Sequence, residues 1–195
     1  MNIGLLLGTF DPPHNGHLAI ARHMRDHEGM DEVWLVVTPR NPLKSGQVIT
    51  GDRDRLDMVR AALGSEPRLF ACDEELALPA PNYTVDTLAH FRRRWPQHAF
   101  ALIVGSDNLA GFDRWKDPEV ILAHHRLLVY PRPGSEMDIG RAVHARHPNV
   151  HITHAPLVNI SSTRIRRMVH DLQPIEGSVP PAVEGAIREK GLYKD

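Results

Sequence analysis

Short apolar runs recur along the chain, with amphipathic stretches between them. Ile3–Leu7, Val33–Val37, Arg68–Ala71, Ala99–Val104, Arg126–Tyr130 and Val150–Thr153 read as strands, and the three strongest are apolar throughout. A strand with one wet face alternates polar with apolar residues, whereas an unbroken run belongs to a strand covered on both faces of a parallel sheet. Segments near 15–27, 51–63, 83–95, 117–123, 136–147, 161–170 and 180–190 read as helices. Asp117-Pro118-Glu119 places a cap, a first-turn Pro and an acid in the order a helix start prefers. Ser178 with Pro180-Pro181 opens the last helix, and Lys190 with Gly191 closes it. Alternation of strand and helix over the whole length predicts an α/β fold, a doubly wound parallel sheet with helices on both faces. No repeat, low-complexity tract or clear linker divides it, so 1–195 is expected to be one domain, with 161–195 a C-terminal helical part packed on the sheet.

Composition narrows the function classes. Lys and Arg number 23 and Asp and Glu 24, a net charge of −1. Nucleic-acid and anionic-membrane binders carry a marked basic surplus, so neither partner is expected. The run Ala99–Val104 is far shorter than the roughly 20 residues of a membrane span. The first residues lack the basic flank and small-residue cleavage site of a signal peptide. One cysteine, Cys72, rules out an internal disulfide framework and fits a reducing compartment, so a cytoplasmic protein is expected. Self-association into a homo-oligomer is left open.

Ligands of a doubly wound sheet bind beyond the carboxyl ends of its strands, where the strand order reverses. Gly8-Thr9-Phe10-Asp11-Pro12-Pro13-His14-Asn15-Gly16-His17 follows the first strand directly and opens the first helix. Gly8 permits close approach of a ligand to the backbone, and two prolines stiffen the turn. His14 and His17, three residues apart, can both point past a helix N-terminus whose N–H groups and dipole already suit phosphate. Surface histidines in a chain with thirteen are the plainer alternative, and metal binding lacks a third ligand at suitable spacing.

This stretch resembles the strand-one signature of the HxGH nucleotidyltransferase superfamily over its full length, and Rossmann-like nucleotidyltransferase architecture is what the resemblance implies. Leu7 stands where the adenylyltransferases of NAD synthesis usually carry a first Gly. Further matches follow in family order up to residue 166. Pro39-Arg40-Asn41-Pro42-Leu43-Lys44 is similar to a loop that faces the phosphates; Lys44 alone would read as a solvated lysine. Asn82-Tyr83-Thr84-Val85-Asp86-Thr87 resembles the stretch beside the acceptor mononucleotide, although Thr84 can equally be a plain helix cap. Val104-Gly105-Ser106-Asp107 resembles the Gly-x-Asp that holds the adenosine, and Trp115 falls where the family stacks a Trp on the pyridine ring. Arg132, in Pro131-Arg132-Pro133-Gly134, is read evenly as an anion-binding fork or a solvated turn residue. Ile160-Ser161-Ser162-Thr163-Arg164-Ile165-Arg166 resembles the superfamily's second phosphate cradle; as plain sequence it is a capped helix start.

Within the superfamily, these segments resemble bacterial-type nicotinate mononucleotide adenylyltransferases. The resemblance implies ATP and nicotinate mononucleotide as partners, deamido-NAD and pyrophosphate as products, and Mg2+ held by the substrate rather than by a protein metal site. It implies His14, His17, Lys44 and Arg166 as catalytic residues. Gly8, Thr9, Phe10, Gly105, Asp107, Ile160, Ser161, Ser162 and Thr163 would join the histidines and Arg166 at ATP, with Lys44, Tyr83, Thr84, Trp115 and Arg132 at the acceptor. The attacking phosphate is already ionised, so the histidines are expected to donate hydrogen bonds rather than act as bases. Nicotinamide mononucleotide or pantetheine phosphate as acceptor, and a catalytically silent nucleotide sensor, are the alternatives. His124, His125, His144, His147, His151 and His154 lack co-ligands for zinc, and Cys72 reads as a small core residue.

Overall fold

A computed structural model of the chain describes residues 1–39, 50–134 and 142–194. Strands β1 (Asn2–Gly8), β2 (Glu32–Val37), β3 (Leu69–Cys72), β4 (Ala99–Gly105), β5 (Arg126–Tyr130) and β6 (Val150–Ile152) form one sheet in the order β3-β2-β1-β4-β5-β6. Every pairing is parallel, with Leu5 of β1 opposite Trp34 of β2 and Leu102 of β4. The chain steps outward from β1 in one direction and from β4 in the other. The order therefore reverses between β1 and β4, and a crevice opens beyond their carboxyl ends.

The unbroken apolar runs have a simple cause. Successive side chains of a strand point to opposite faces. Leu6, Val33, Leu35, Val37, Ala101 and Ile103 enter one core, while Ile3, Leu5, Val36, Phe100, Leu102 and Val104 enter the other. Helices α1 (Asn15–His27), α2 (Asp52–Leu63), α6 (Ser162–His170) and α7 (Pro181–Lys190) send Leu18, Met24, Met58, Val59, Ile165, Val183 and Ile187 into the first core. Helices α3 (Thr84–Arg94) and α5 (Pro118–His124), with the short α4 (Ser106–Leu109), send Leu88, Phe91, Leu109, Ile121 and Leu122 into the second. Cys72 joins that second core, and burial pushes its thiol up to about 12.

The helices stand within a residue of their expected bounds, with three differences. Asp117 occupies the N-cap of α5 in a left-handed conformation (φ 48°), and its side chain makes no capping bond. Tyr83, not Thr84, is the N-cap of α3, and Thr84 is the first helical residue. The first half of the expected helix 136–147, residues 136–141, lies outside the described residues, and 143–146 is a turn. Arg68 precedes β3 with φ 63°, and Cys72 replaces Ala71 as that strand's last residue.

Candidate functional site

At the mouth of β1, His14 is the N-cap of α1, and its Nδ1 accepts the backbone N–H of His17 at 3.3 Å. Reciprocally, the His14 N–H donates to Nδ1 of His17 at 3.2 Å. This is a capping box built from two imidazoles, a job usually done by Ser or Thr and Glu. The rings stack with centroids 3.6 Å apart and planes 18° apart. Because each Nδ1 accepts, each neutral ring carries its proton on Nε2. His14 is 5 % exposed; burial, aided by the charge of Arg132, lowers its pKa to about 4. Gly16 is required here because a Cβ would lie 2.9 Å from His14 Nδ1 and 3.0 Å from Val158. Phe10, buried and left-handed (φ 49°), meets His17 edge-on at 4.9 Å, and a Cβ on Gly8 would press on its ring at 3.1 Å.

The facing wall is the start of α6. The Ser161 hydroxyl caps that helix by accepting from the Arg164 N–H at 3.3 Å. The Ser162 hydroxyl donates to the Pro12 carbonyl (2.8 Å), and Arg166 donates to the Asp11 carbonyl (2.7 Å) and to Thr163 Oγ1 (3.4 Å). The Ser162 O–H is spent on Pro12, whereas the Ser161 and Thr163 oxygens only accept, so the wall offers an anion their O–H groups together with backbone N–H groups and the Arg166 charge.

Gly105 ends β4, and a Cβ on it would collide with Asp107 Oδ1 at 2.3 Å and Arg132 Nε at 2.9 Å. Arg132 forms an ion pair with Asp107 (3.5 Å) and donates to the Tyr130 hydroxyl (3.1 Å), while its backbone N–H donates to Ser106 Oγ (2.9 Å). Arg132 thus stands with Gly105, Asp107 and His14, on the side of the cleft expected to take ATP.

Tyr83 and Trp115 form the other end. Trp115 packs on Phe112 with centroids 5.1 Å apart, and Lys116 lies 4.9 Å from the Tyr83 ring centroid while pairing with Asp86 at 2.8 Å. Leu7 is half-buried, packed against the second core, and reaches the same space. One cavity of about 470 Å³ joins all these parts: Gly8, Thr9, Phe10, His14 and His17, Gly105, Tyr83, Thr84 and Trp115, Arg132, and Ile160 to Thr163 with Arg166. Lys44 lies outside the described residues. Asp107 is not among the residues that line this cavity; it stands beside it, paired with Arg132 at 3.5 Å.

Residues with no assigned role in the motifs hold the site in shape. Arg55 is fully buried and donates to the carbonyls of Thr9, Thr38 (2.8 Å) and Pro39 (3.3 Å), tying the loops after β1 and β2 together. Asp11 is 2 % exposed and accepts from the Tyr193 hydroxyl at 2.7 Å. Asn15 donates from its backbone to Ser178 (2.9 Å) and from its side chain to Gly177 (2.8 Å). Nothing in the α2 sequence marks Arg55 as buried, whereas Asp11 lies inside the Gly8–His17 segment, the signal by which it could have been found.

Chemically, the cavity offers positive and N–H-rich walls at one end and an aromatic platform at the other. Comparisons with known proteins agree with this. The cytidylyltransferase-like family model matches residues 5–168. A Cytophaga hutchinsonii protein named "probable nicotinate-nucleotide adenylyltransferase" is 45% identical over 195 residues, covering 100% of both chains. A Flavobacterium psychrophilum protein of the same name is 43% identical over 194 residues, again covering 100% of both. The fold is that of Plasmodium falciparum nicotinic acid mononucleotide adenylyltransferase complexed with NaAD, with a TM-score of 0.79 at 19% identity, over 98% of this chain and 97% of that one. The chain belongs to the cytidylyltransferase-like family and, within it, to the nicotinate-nucleotide adenylyltransferases.

Proposed function

We propose that the protein transfers the adenylyl group of ATP to nicotinate mononucleotide, giving deamido-NAD and pyrophosphate, a step of NAD biosynthesis. An oxygen of the mononucleotide phosphate bonds to the α-phosphorus of ATP, the bond from that phosphorus to the β-phosphate oxygen breaks, and pyrophosphate leaves. The observation that carries this reading is the reciprocal histidine cap at the end of β1, facing Arg166 and the start of α6 across one cavity. The attacking phosphate is ionised before it binds, so the site needs donors and not a base. Neutral His14 and His17, each with its proton on Nε2, supply such donors to the α- and β-phosphates as charge develops there. Arg166 and the N–H groups of 161–163 hold the β- and γ-phosphates. Asp107 and Gly105 receive the adenosine, and Arg132, beside them, extends the positive wall toward the phosphates. Tyr83, Thr84 and Trp115 receive the pyridine ring, where stacking on an aromatic face contributes about 1–3 kcal/mol. Lys44 is assigned to the phosphates on its sequence motif.

Among the described residues no group of three or more His, Cys, Asp or Glu side chains could hold a metal ion. The phosphate end is lined by donors, a set that suits an anion and not a resident cation. Mg2+ is therefore read as part of the ATP substrate, offsetting phosphate charge and held by phosphate oxygens and water. No helix among the described residues is long and apolar enough to cross a membrane.

The test is pyrophosphate release from ATP and Mg2+ with nicotinate mononucleotide, run beside nicotinamide mononucleotide and pantetheine phosphate. Turnover with the acid well above the other two is expected. Preference for the amide would move the protein to the other acceptor class. ATP binding without pyrophosphate release on any acceptor would make it a nucleotide sensor.

A further inference from the structure

The acceptor end of the cavity contains a carboxyl for which adenylyl transfer itself has no use. Glu75, on the turn Glu74–Ala77 after β3, is 2 % exposed and lines the cavity with Asn82, Tyr83, Thr84 and Trp115. Its Oε1 accepts from the Thr87 hydroxyl at 2.9 Å, and its backbone carbonyl accepts from Asn82 at 3.1 Å. Its Oε2 is buried with no hydrogen-bond partner among the described residues. The charged groups nearby are engaged elsewhere. Glu74 pairs with His90 (2.8 Å) and Arg94 (3.8 Å) of α3, Asp86 pairs with Lys116 (2.8 Å), and Asp73 pairs with Arg60 of α2 (3.6 Å). Among the described residues Glu75 Oε2 has no ion-pair partner, while Arg114 and Lys116 line the same cavity.

We propose that Glu75 determines which acceptor the cavity takes: as a neutral acid its O–H donates to the carboxylate on the pyridine ring, and as a carboxylate it repels that group and accepts from a carboxamide instead. The inference rests on the nicotinate mononucleotide reading above. Burial raises the Glu75 carboxyl to about 7, with the Thr87 hydroxyl pulling the other way, so both forms exist near neutral pH. The ring carboxylate itself stays ionised throughout that range. Acid preference is thus strongest below the Glu75 midpoint and fades above it.

The experiment measures kcat/KM for nicotinate and nicotinamide mononucleotides from pH 6 to 9 in wild type, Glu75→Gln and Thr87→Val. Both acceptors share the same phosphate, ATP and histidines, so those titrations cancel in the acid-to-amide ratio. In wild type the ratio should fall by about tenfold per pH unit above the midpoint, following the neutral fraction of one carboxyl. In Glu75→Gln it should be flat. In Thr87→Val, which removes a donor favouring the charged form, the break should move to higher pH. A wild-type ratio independent of pH, or one that falls equally in Glu75→Gln, overturns the proposal. A structural role alone would lower both acceptors together and leave the slope intact. Should Glu75→Gln not fold, the Thr87→Val shift decides. Should wild type turn over neither acceptor, the proposed function fails separately, and dissociation constants of the two mononucleotides over the same pH range test Glu75 directly.

Discussion

His14 carries a conflict between burial and charge that is resolved by staying neutral. Its folded pKa of about 4 lies below the ordinary 6.5, so the native state favours the neutral ring. Between those values the unfolded chain takes up a proton that the folded chain refuses, and stability falls as pH drops from 6.5 toward 4. The loss reaches about 3 kcal/mol at the acid end, taking 1.36 kcal/mol per unit. His14→Asn should therefore show a smaller drop in denaturant midpoint between pH 7 and 4.5 than wild type; equal drops would contradict the neutral cap. His17→Ala should lower kcat by about 10²–10³, the cost of losing one transition-state donor. Its stability should fall only by the value of a capping bond, about 1 kcal/mol. An unchanged rate in a folded His17→Ala protein would remove the histidine from the chemistry.

At the scale of elements, the loops beyond β1 and β2 depend on one guanidinium. Arg55 bonds three of their carbonyls from a fully buried position, and Asp52, on the same helix, is its ionic partner. Arg55→Met leaves those carbonyls without their donor and should cost about 3–5 kcal/mol, read as a lower thermal midpoint with a parallel rise in KM for ATP. A variant as stable as wild type would show that water replaces the guanidinium. Arg55 also marks where the sequence stops being informative. The strands were legible because every residue of a doubly covered strand is apolar, and α1 because His14 and Asn15 begin it in the register the motif requires. The site's location followed from the rule that a doubly wound sheet binds its ligand beyond the carboxyl ends of its strands. Arg55 was not legible, since a charge next to the apolar positions 56, 58 and 59 reads as a solvated flank. Asp117 was expected to cap with its side chain and does not, and the cap open to Thr84 falls to Tyr83, because propensity does not reveal the backbone conformation that a cap needs. Glu75 carries no signal of its own in the sequence; its burial and its bond to Thr87 of α3 come from tertiary packing.

Across the whole molecule, residues distant in sequence close the cleft. Ser162 and Arg166 hold Pro12 and Asp11, Gly177 and Ser178 hold Asn15, and Tyr193 holds the Asp11 carboxylate. The Tyr193 residue is 6 % exposed, and its φ of 64° turns the chain back into the first core. Tyr193→Phe removes a donor from a buried carboxylate and should lower the unfolding free energy by about 1–3 kcal/mol in chemical denaturation. No measurable change would mean that the bond is unimportant to the clamp.

The clamp has an outcome in time. Protein synthesis runs from the amino end, so the signature with both histidines is made before the residues that fasten it. A growing chain that has reached Arg132 already contains the histidine pair, Asp107 and Trp115, but not the wall at 161–166 or the tyrosine at 193. Its nucleotide cleft has one side. The cleft therefore gains its second side only when α6 and the segment around Tyr193 fold back onto the loop after β1.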